Sequence, residues 1–131
     1  MGAKRQSPEF ILTRDVACWL DLALRGTGVA WTHFPAGEKR TVATGAKLKK
    51  MGLKPGWPDF IFLIPFNTRH SIKATFVGIE MKAGKGGQGA TQKDVQAQIE
   101  AAGGYYYLAR SIAEVGGLLI GHGVKIMARA V

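Results

Sequence analysis

Asp59, Glu80 and Lys82 are the residues of this sequence whose types and spacing suit one piece of chemistry. Two apolar runs, 59–64 and 74–81, flank a polar stretch from Asn67 to Ser71. Each run is long enough for a buried strand and short for a helix, and so brief a connection favours antiparallel pairing as a hairpin. Asp59 then starts one strand while Glu80 and Lys82 end its partner, so all three meet at one end of the sheet. Alternation sends Glu80 and Lys82 to one face, and Val77, Ile79 and Met81 to the other, where they pack in a core. Two carboxylates so placed make an oxygen-ligand site for a hard cation such as Mg²⁺ or Mn²⁺, with the Met81 carbonyl available as a third ligand. A metal there polarises a phosphate and lowers the pKa of a water, and the Lys82 ammonium orients that water or neutralises developing charge. The chemistry this set suits is phosphodiester hydrolysis. The plainer reading of the same residues is a turn aspartate and an exposed ion pair on an edge strand.

The elements that must position these residues can be read along the chain. Ser7-Pro8-Glu9 opens a helix: Ser7 caps it, Pro8 suits the first helical position and Glu9 complements the dipole. Leu12, Val16, Trp19, Leu20 and Ala23 form its buried stripe, and Gly26 or Gly28 ends it. Val29 to Phe34 reads as a strand, and Pro35 to Arg40 as a loop. Residues 41–51 have weak helical periodicity with a cationic face, stopped by Gly52. The turn from Lys54 to Pro58 leads into Asp59.

A glycine-rich loop, 83–89, follows Lys82. The next helix is expected to be capped by Thr91 with Asp94 three residues on, and carries Gln92, Val95, Gln96 and Ile99 on one face. Gly103-Gly104 closes it before a strand at Tyr105 to Leu108, and a strand, helix, strand crossover of this kind favours parallel pairing. Ser111 and Glu114 form a capping-box pattern for a last helix through about Leu119.

The 131 residues suit one compact domain, 1–131, with its own core, and leave no room for a multidomain enzyme. With 47% hydrophobic and 9% aromatic residues the composition is that of a folded chain. Lys and Arg number 18 against 9 acidic residues, a net charge of +9 that favours a polyanion as partner. No apolar run is long enough to span a bilayer, and the first eight residues lack the apolar stretch of a secretory signal. A cytoplasmic protein without a membrane partner is expected.

Cys18 is the single cysteine, which excludes an internal disulfide, and His33, His70 and His122 stand in no metal-ligand spacing, which argues against structural zinc. His33 ends a strand and either approaches a substrate or is structural, whereas His70 and His122 read as surface residues. Lys39, Arg40, Lys47, Lys49, Lys50, Lys54 and Lys85 are concentrated before Asp59 and after Lys82. That placement suits a phosphate-binding rim, since cations supply most of the sequence-independent affinity for DNA. A solubilising surface is the plainer alternative. Trp57 and the triplet Tyr105 to Tyr107 have faces on which bases can stack, although tyrosines alternating between core and surface of a strand need no such role.

Pro58-Asp59 followed by Glu80-Met81-Lys82 resembles the PD-(D/E)xK nuclease signature. The wider pattern, Gly56-Trp57-Pro58-Asp59-Phe60, Ile79-Glu80-Met81-Lys82 and the downstream Gln92, is similar to the VRR-NUC branch of that superfamily, whose members share a GxPD, ExK and Gln order. The likeness runs from the first helix to about Leu119 and takes in His33-Phe34-Pro35 through Arg40. It departs from the family's PNGGKR loop at Ala36 and Glu38.

The resemblance implies an α/β fold with a restriction-endonuclease-like core, a central mixed β-sheet flanked by helices. It implies a Mg²⁺- or Mn²⁺-dependent endonuclease acting on DNA, with Asp59, Glu80 and the Met81 carbonyl on the metal and Lys82 assisting the water. Gln92 would position the attacking water or a phosphate. The acidic residue that the family places on the first helix is matched by Glu9, with Asp15 as its rival. Stand-alone members resemble Holliday-junction resolvases that work as homodimers, and are carried by bacteria and phages. The expected partners are therefore four-way junctions or flaps and a second copy of the chain. Two other readings stand beside this one: a general or restriction-like nuclease on unbranched DNA, and a catalytically silent DNA-binding module.

Overall fold

The computed structural model describes residues 5–35 and 40–126. The elements run α1 (Pro8–Ala23), β1 (Ala30–His33), α2 (Val42–Lys50), β2 (Phe60–Asn67), β3 (Ile72–Met81), α3 (Ala90–Ala101), β4 (Tyr105–Ala109) and α4 (Ile112–Gly121). The four strands form one mixed sheet in the order β1-β2-β3-β4. β1 with β2 and β2 with β3 are antiparallel, and β3 with β4 is parallel across the α3 crossover. The expected hairpin is therefore present, and the class is α/β.

Short-range chemistry starts each element that positions the site. Ser7 Oγ accepts from Phe10 N at 3.1 Å and begins α1, as its cap pattern predicts. Thr68 closes the β2–β3 turn: its amide donates to Ser71 O at 2.8 Å, and its hydroxyl accepts from Ser71 N at 3.0 Å. Ser111 Oγ accepts from Glu114 N at 3.1 Å and starts α4. The start of α3 differs from the expected Thr91 cap. The helix begins at Ala90, Gly89 is the cap residue, and Gln92 Oε1 reaches back to accept from Gly89 N at 2.9 Å. Thr91 already lies in the first turn.

Period-two burial divides the sheet into two faces. Phe60, Phe62, Val77, Ile79 and Met81 pack with Val16 and Leu20 of α1 and Val115 and Leu119 of α4. The opposite face packs Tyr106 with Val95 and Ile99 of α3, and Trp57 and Phe76 lie against them. Each large apolar side chain buried this way contributes about 1.5 to 3 kcal/mol before entropy is counted. α2 buries none of its residues and lies outside this core. Among the described residues no helix is long and apolar enough to cross a membrane.

His122 departs from its expected surface position. It is half-buried at the end of α4, where its Nε2 is 2.8 Å from the Tyr107 hydroxyl and its ring meets Tyr105 edge-on at 4.5 Å. Parallel pairing with β3 turns Tyr105 and Tyr107 to that side of the sheet and Tyr106 to the other.

Candidate active site

The last pair of the β2–β3 ladder is Phe60 with Ile79, and one further step sets Asp59 opposite Glu80. Met81 N donates to Asp59 Oδ2 at 2.7 Å, which locks the two strand ends together. The side chains of Asp59 and Glu80 are themselves hydrogen-bonded. Glu80 is 8% exposed, and among the described residues it is the one charged side chain buried in the fold. β3 is an inner strand, so the exposed ion pair on a sheet edge is not what forms here.

Burial and mutual repulsion set the electrostatics. Loss of solvent pushes the Glu80 carboxyl up to about 9, helped by the charge of Asp59 and opposed by Lys82. Burial also raises Asp59, while the Met81 amide and the hydrogen bond from Glu80 hold it down. Glu9 adds negative charge to both carboxyls, and His33 favours the charged form of Asp59. Glu9 sits seven residues before Val16, on the line of α1 that runs down into the core. Asp15 instead lies at the surface, 3.3 Å from the Arg14 guanidinium. Both residues are exposed, and of the two it is Glu9 whose charge reaches Asp59 and Glu80.

The turn before Asp59 is built by close packing. Gly56 has φ 89°, and a β-carbon there would lie 2.7 Å from the Thr91 carbonyl oxygen. Only glycine satisfies both conditions. Tyr106 Oη donates to Gly56 O at 3.1 Å, and the Trp57 ring lies 6.4 Å from Phe76 and 6.1 Å from Phe34. Tyr106 is pushed upward by burial and then by the charges of Glu80 and Asp59, so it keeps its proton and remains a donor. Trp57 therefore packs beside the site.

Lys82 continues the β3–β4 ladder, its amide donating to Ala109 O at 3.0 Å, and its side chain is half-buried. Gln92 lies at the start of α3 with its amide oxygen engaged by Gly89 N. Lys47, Lys49 and Lys50 are exposed on the last turn of α2, Lys54 on the turn toward Asp59, and Lys85 on the loop after Lys82. Arg40 is half-buried and donates to Pro35 O. Lys39, with Ala36 and Glu38, lies outside the described residues.

Three site-supporting residues escape a reading of the sequence: Tyr106, Gln88 and Arg110. Gln88 hydrogen-bonds Tyr106 and donates to Gln96 Oε1 at 2.8 Å. Parallel pairing sets Tyr106 beside Gly78, so alternation along β4 is a signal that would have placed it. Arg110 holds the glycine-rich loop from 24 and 26 residues away, an interaction with no local signal.

The donor set fits a hard divalent cation. Burial raises both carboxyls and the charge of Asp59 raises Glu80 further, and a cation between oxygen donors relieves both repulsion and desolvation. Among the described residues no group of three His, Cys, Asp or Glu closes around such a position. The protein ligands would be Asp59, Glu80 and the Met81 carbonyl, and Mg²⁺ commonly keeps several waters beside so few.

A solved structure described as a VRR_NUC domain protein aligns with 90% of this chain and 89% of its own length, at TM-score 0.64 and 22% identity. This chain has the fold of that VRR_NUC domain protein. At one end of the sheet so aligned, this chain carries Asp59, Glu80 and Lys82. The likeness is one of fold. No family model matches the chain, and no curated protein matches its sequence.

Proposed function

We propose that residues 1–131 form one nuclease domain of the VRR-NUC branch, a divalent-metal-dependent enzyme hydrolysing DNA phosphodiester bonds. The observation that carries this reading is the buried contact between Asp59 and Glu80 beside Lys82. A close carboxyl pair with one member buried and only partly offset by Lys82 and the Met81 amide opposes folding when ionised, so its presence at an ordered sheet end is best accounted for by a ligand that it binds. The VRR_NUC fold and the GxPD, ExK and Gln order support the same conclusion.

Asp59, Glu80 and the Met81 carbonyl hold Mg²⁺ or Mn²⁺. Such an ion supplies Lewis-acid charge to a phosphate and lowers the pKa of a water. The Met81 amide orients Asp59, and Lys82 brings a positive charge to the same end, where it orients the attacking water and offsets charge on the phosphate. Glu9 supports the acidic side of the site. Gln92, whose amide oxygen is engaged, presents its NH₂ group to water or phosphate. Arg40, Lys47, Lys49, Lys50, Lys54 and Lys85, with Lys39, form the phosphate-binding rim.

A small domain gains a second active site and a wider grip by pairing, so the substrate is branched DNA and the working form a homodimer. It acts in the cytoplasm of a bacterial or phage-infected cell. Purified protein is tested on matched four-way-junction, flap, single-strand and linear duplex DNA with Mg²⁺, Mn²⁺ or EDTA, beside Asp59→Ala and Lys82→Ala. Metal-dependent junction cutting, lost in both variants, is expected, with dimeric mass in sedimentation. Binding without cutting in every condition leaves only a DNA-binding module, and equal cutting of linear duplex replaces junction selectivity with general nuclease activity.

A further inference from the structure

The geometry points to Arg110 as a positioning residue that sets the Lys82 side chain through the loop joining β3 to α3. The loop contains Gly84, Gly86, Gly87 and Gly89, a composition that makes its backbone costly to order. Arg110 Nη1 donates to Gly84 O and Nη2 to Gly86 O, each at 2.6 Å. One planar fork thus spans two carbonyls in the part of the loop that precedes its Gln88 and Gly89 anchors.

The held segment passes close to Lys82. A β-carbon on Gly86 would stand 3.9 Å from Lys82 Cδ, so Gly86 faces the lysine stem at that point. The Lys82 amide is fixed from the same side, by Ala109 O at 3.0 Å, and Ala109 immediately precedes Arg110. Lys82 is therefore bracketed, its backbone by β4 and its stem by the loop that Arg110 grips. Arg110 has its own support: its amide donates to Glu114 Oε2 at 2.5 Å in the first turn of α4. Hydrogen bonds run from Glu114 of α4 through Arg110 to Gly86, which faces the Lys82 stem. Lys85 lies between the two gripped carbonyls and is placed by the same fork.

The catalytic consequence rests on the nuclease reading, whereas the ordering of loop and lysine does not. Arg110→Lys and Arg110→Gln are compared with wild type in the full chain. The readouts are amide hydrogen exchange over the loop, NMR order of the Lys82 εCH₂ group, and kcat and KM on the DNA that wild type cuts fastest. Both variants keep the Arg110 amide and the Ser111 cap. Loop exchange is expected to rise about tenfold or more as local opening becomes easier, and Lys82 order to fall. Misplacing a reacting group lowers kcat by about tenfold to a hundredfold, with KM held within about twofold. Lysine should behave like glutamine, because an ammonium cannot fork two carbonyls. Unchanged loop exchange and Lys82 order in Arg110→Gln overturn the inference. A raised KM in Arg110→Gln that Arg110→Lys restores overturns it too, since that pattern marks direct binding of a phosphate. If wild type cuts no DNA, the nuclease reading fails alone, and exchange and lysine order still decide the positioning. Should Arg110→Gln unfold, Arg110→Lys carries the same readouts.

Discussion

Pro58 lies over Gly78 so closely that a β-carbon on the glycine would stand 2.4 Å from Pro58 Cγ. Both residues are buried, and Gly78 occupies the middle of β3 between Phe76 and Glu80. Glycine weakens a strand unless another group must approach it, and here the Pro58 ring does. The close approach fixes the level at which Asp59 enters the sheet. Gly78→Ala is expected to displace the ring and cost about 1 to 3 kcal/mol in chemical denaturation, as overpacking does. Cleavage should fall more steeply than stability, because Asp59 moves with Pro58. An unchanged denaturation midpoint would mean that the turn yields freely and does not set Asp59.

Tyr106→Phe isolates a second support of the same turn. It removes the donor to Gly56 O and leaves the ring in the face packed by Val95 and Ile99. The hydroxyl also bonds Gln88, so the expected loss is about 1 to 3 kcal/mol in urea denaturation, the net value of two hydrogen bonds. A lowered kcat on the preferred DNA should accompany it. Wild-type values for both would show that Gly56 is held by Thr91 alone.

Which parts of this arrangement can be read from the sequence follows from how local their causes are. The β2–β3 hairpin is legible because its two apolar runs and polar turn are adjacent, and a short turn fixes which ends meet. Asp59 and Glu80 follow from that register alone. The start of α3 is not legible to the residue, because Gly89 with Gln92 and Thr91 with Asp94 offer competing caps two residues apart. Packing of the Thr91 backbone against Gly56 belongs to the first choice. His122 is drawn inward by Tyr105 and Tyr107 after a glycine-rich helix end that suggests only exposure. The Arg110 fork depends on a loop and a strand end that meet only once the sheet is formed.

The exposed lysines of α2 lend themselves to a salt titration. Lys47, Lys49 and Lys50 bury nothing and lie at a helix C-terminus, where cations also stabilise the helix dipole. If they only cap the dipole, replacing them alters stability and leaves DNA affinity alone. As part of a phosphate rim, their joint replacement by glutamine should weaken binding of all DNA forms alike. The slope of log K against log salt should fall by about 0.9 for each phosphate that the variant no longer neutralises. Fluorescence anisotropy across a salt series separates the two results.

Alkaline pH should expose the strain of the Asp59–Glu80 pair. Burial first, and then the Asp59 charge, raise Glu80 from an ordinary 4.5 to about 9. Between those values the folded chain holds a proton that the unfolded chain has released. The contribution of Glu80 to stability is therefore complete below 4.5 and is lost as pH climbs through about 9. Asp59, also raised, acts in the same direction. Guanidinium denaturation in EDTA should show declining stability across that range, and Glu80→Gln, neutral throughout, should remove most of the slope. Cation binding requires the ionised carboxylates, so calorimetry in buffers of different ionisation enthalpy should detect proton release that diminishes toward pH 9. A flat wild-type profile with no protons released would mean that the two carboxyls are already ionised and solvated, which removes burial as the origin of the site's affinity for a cation.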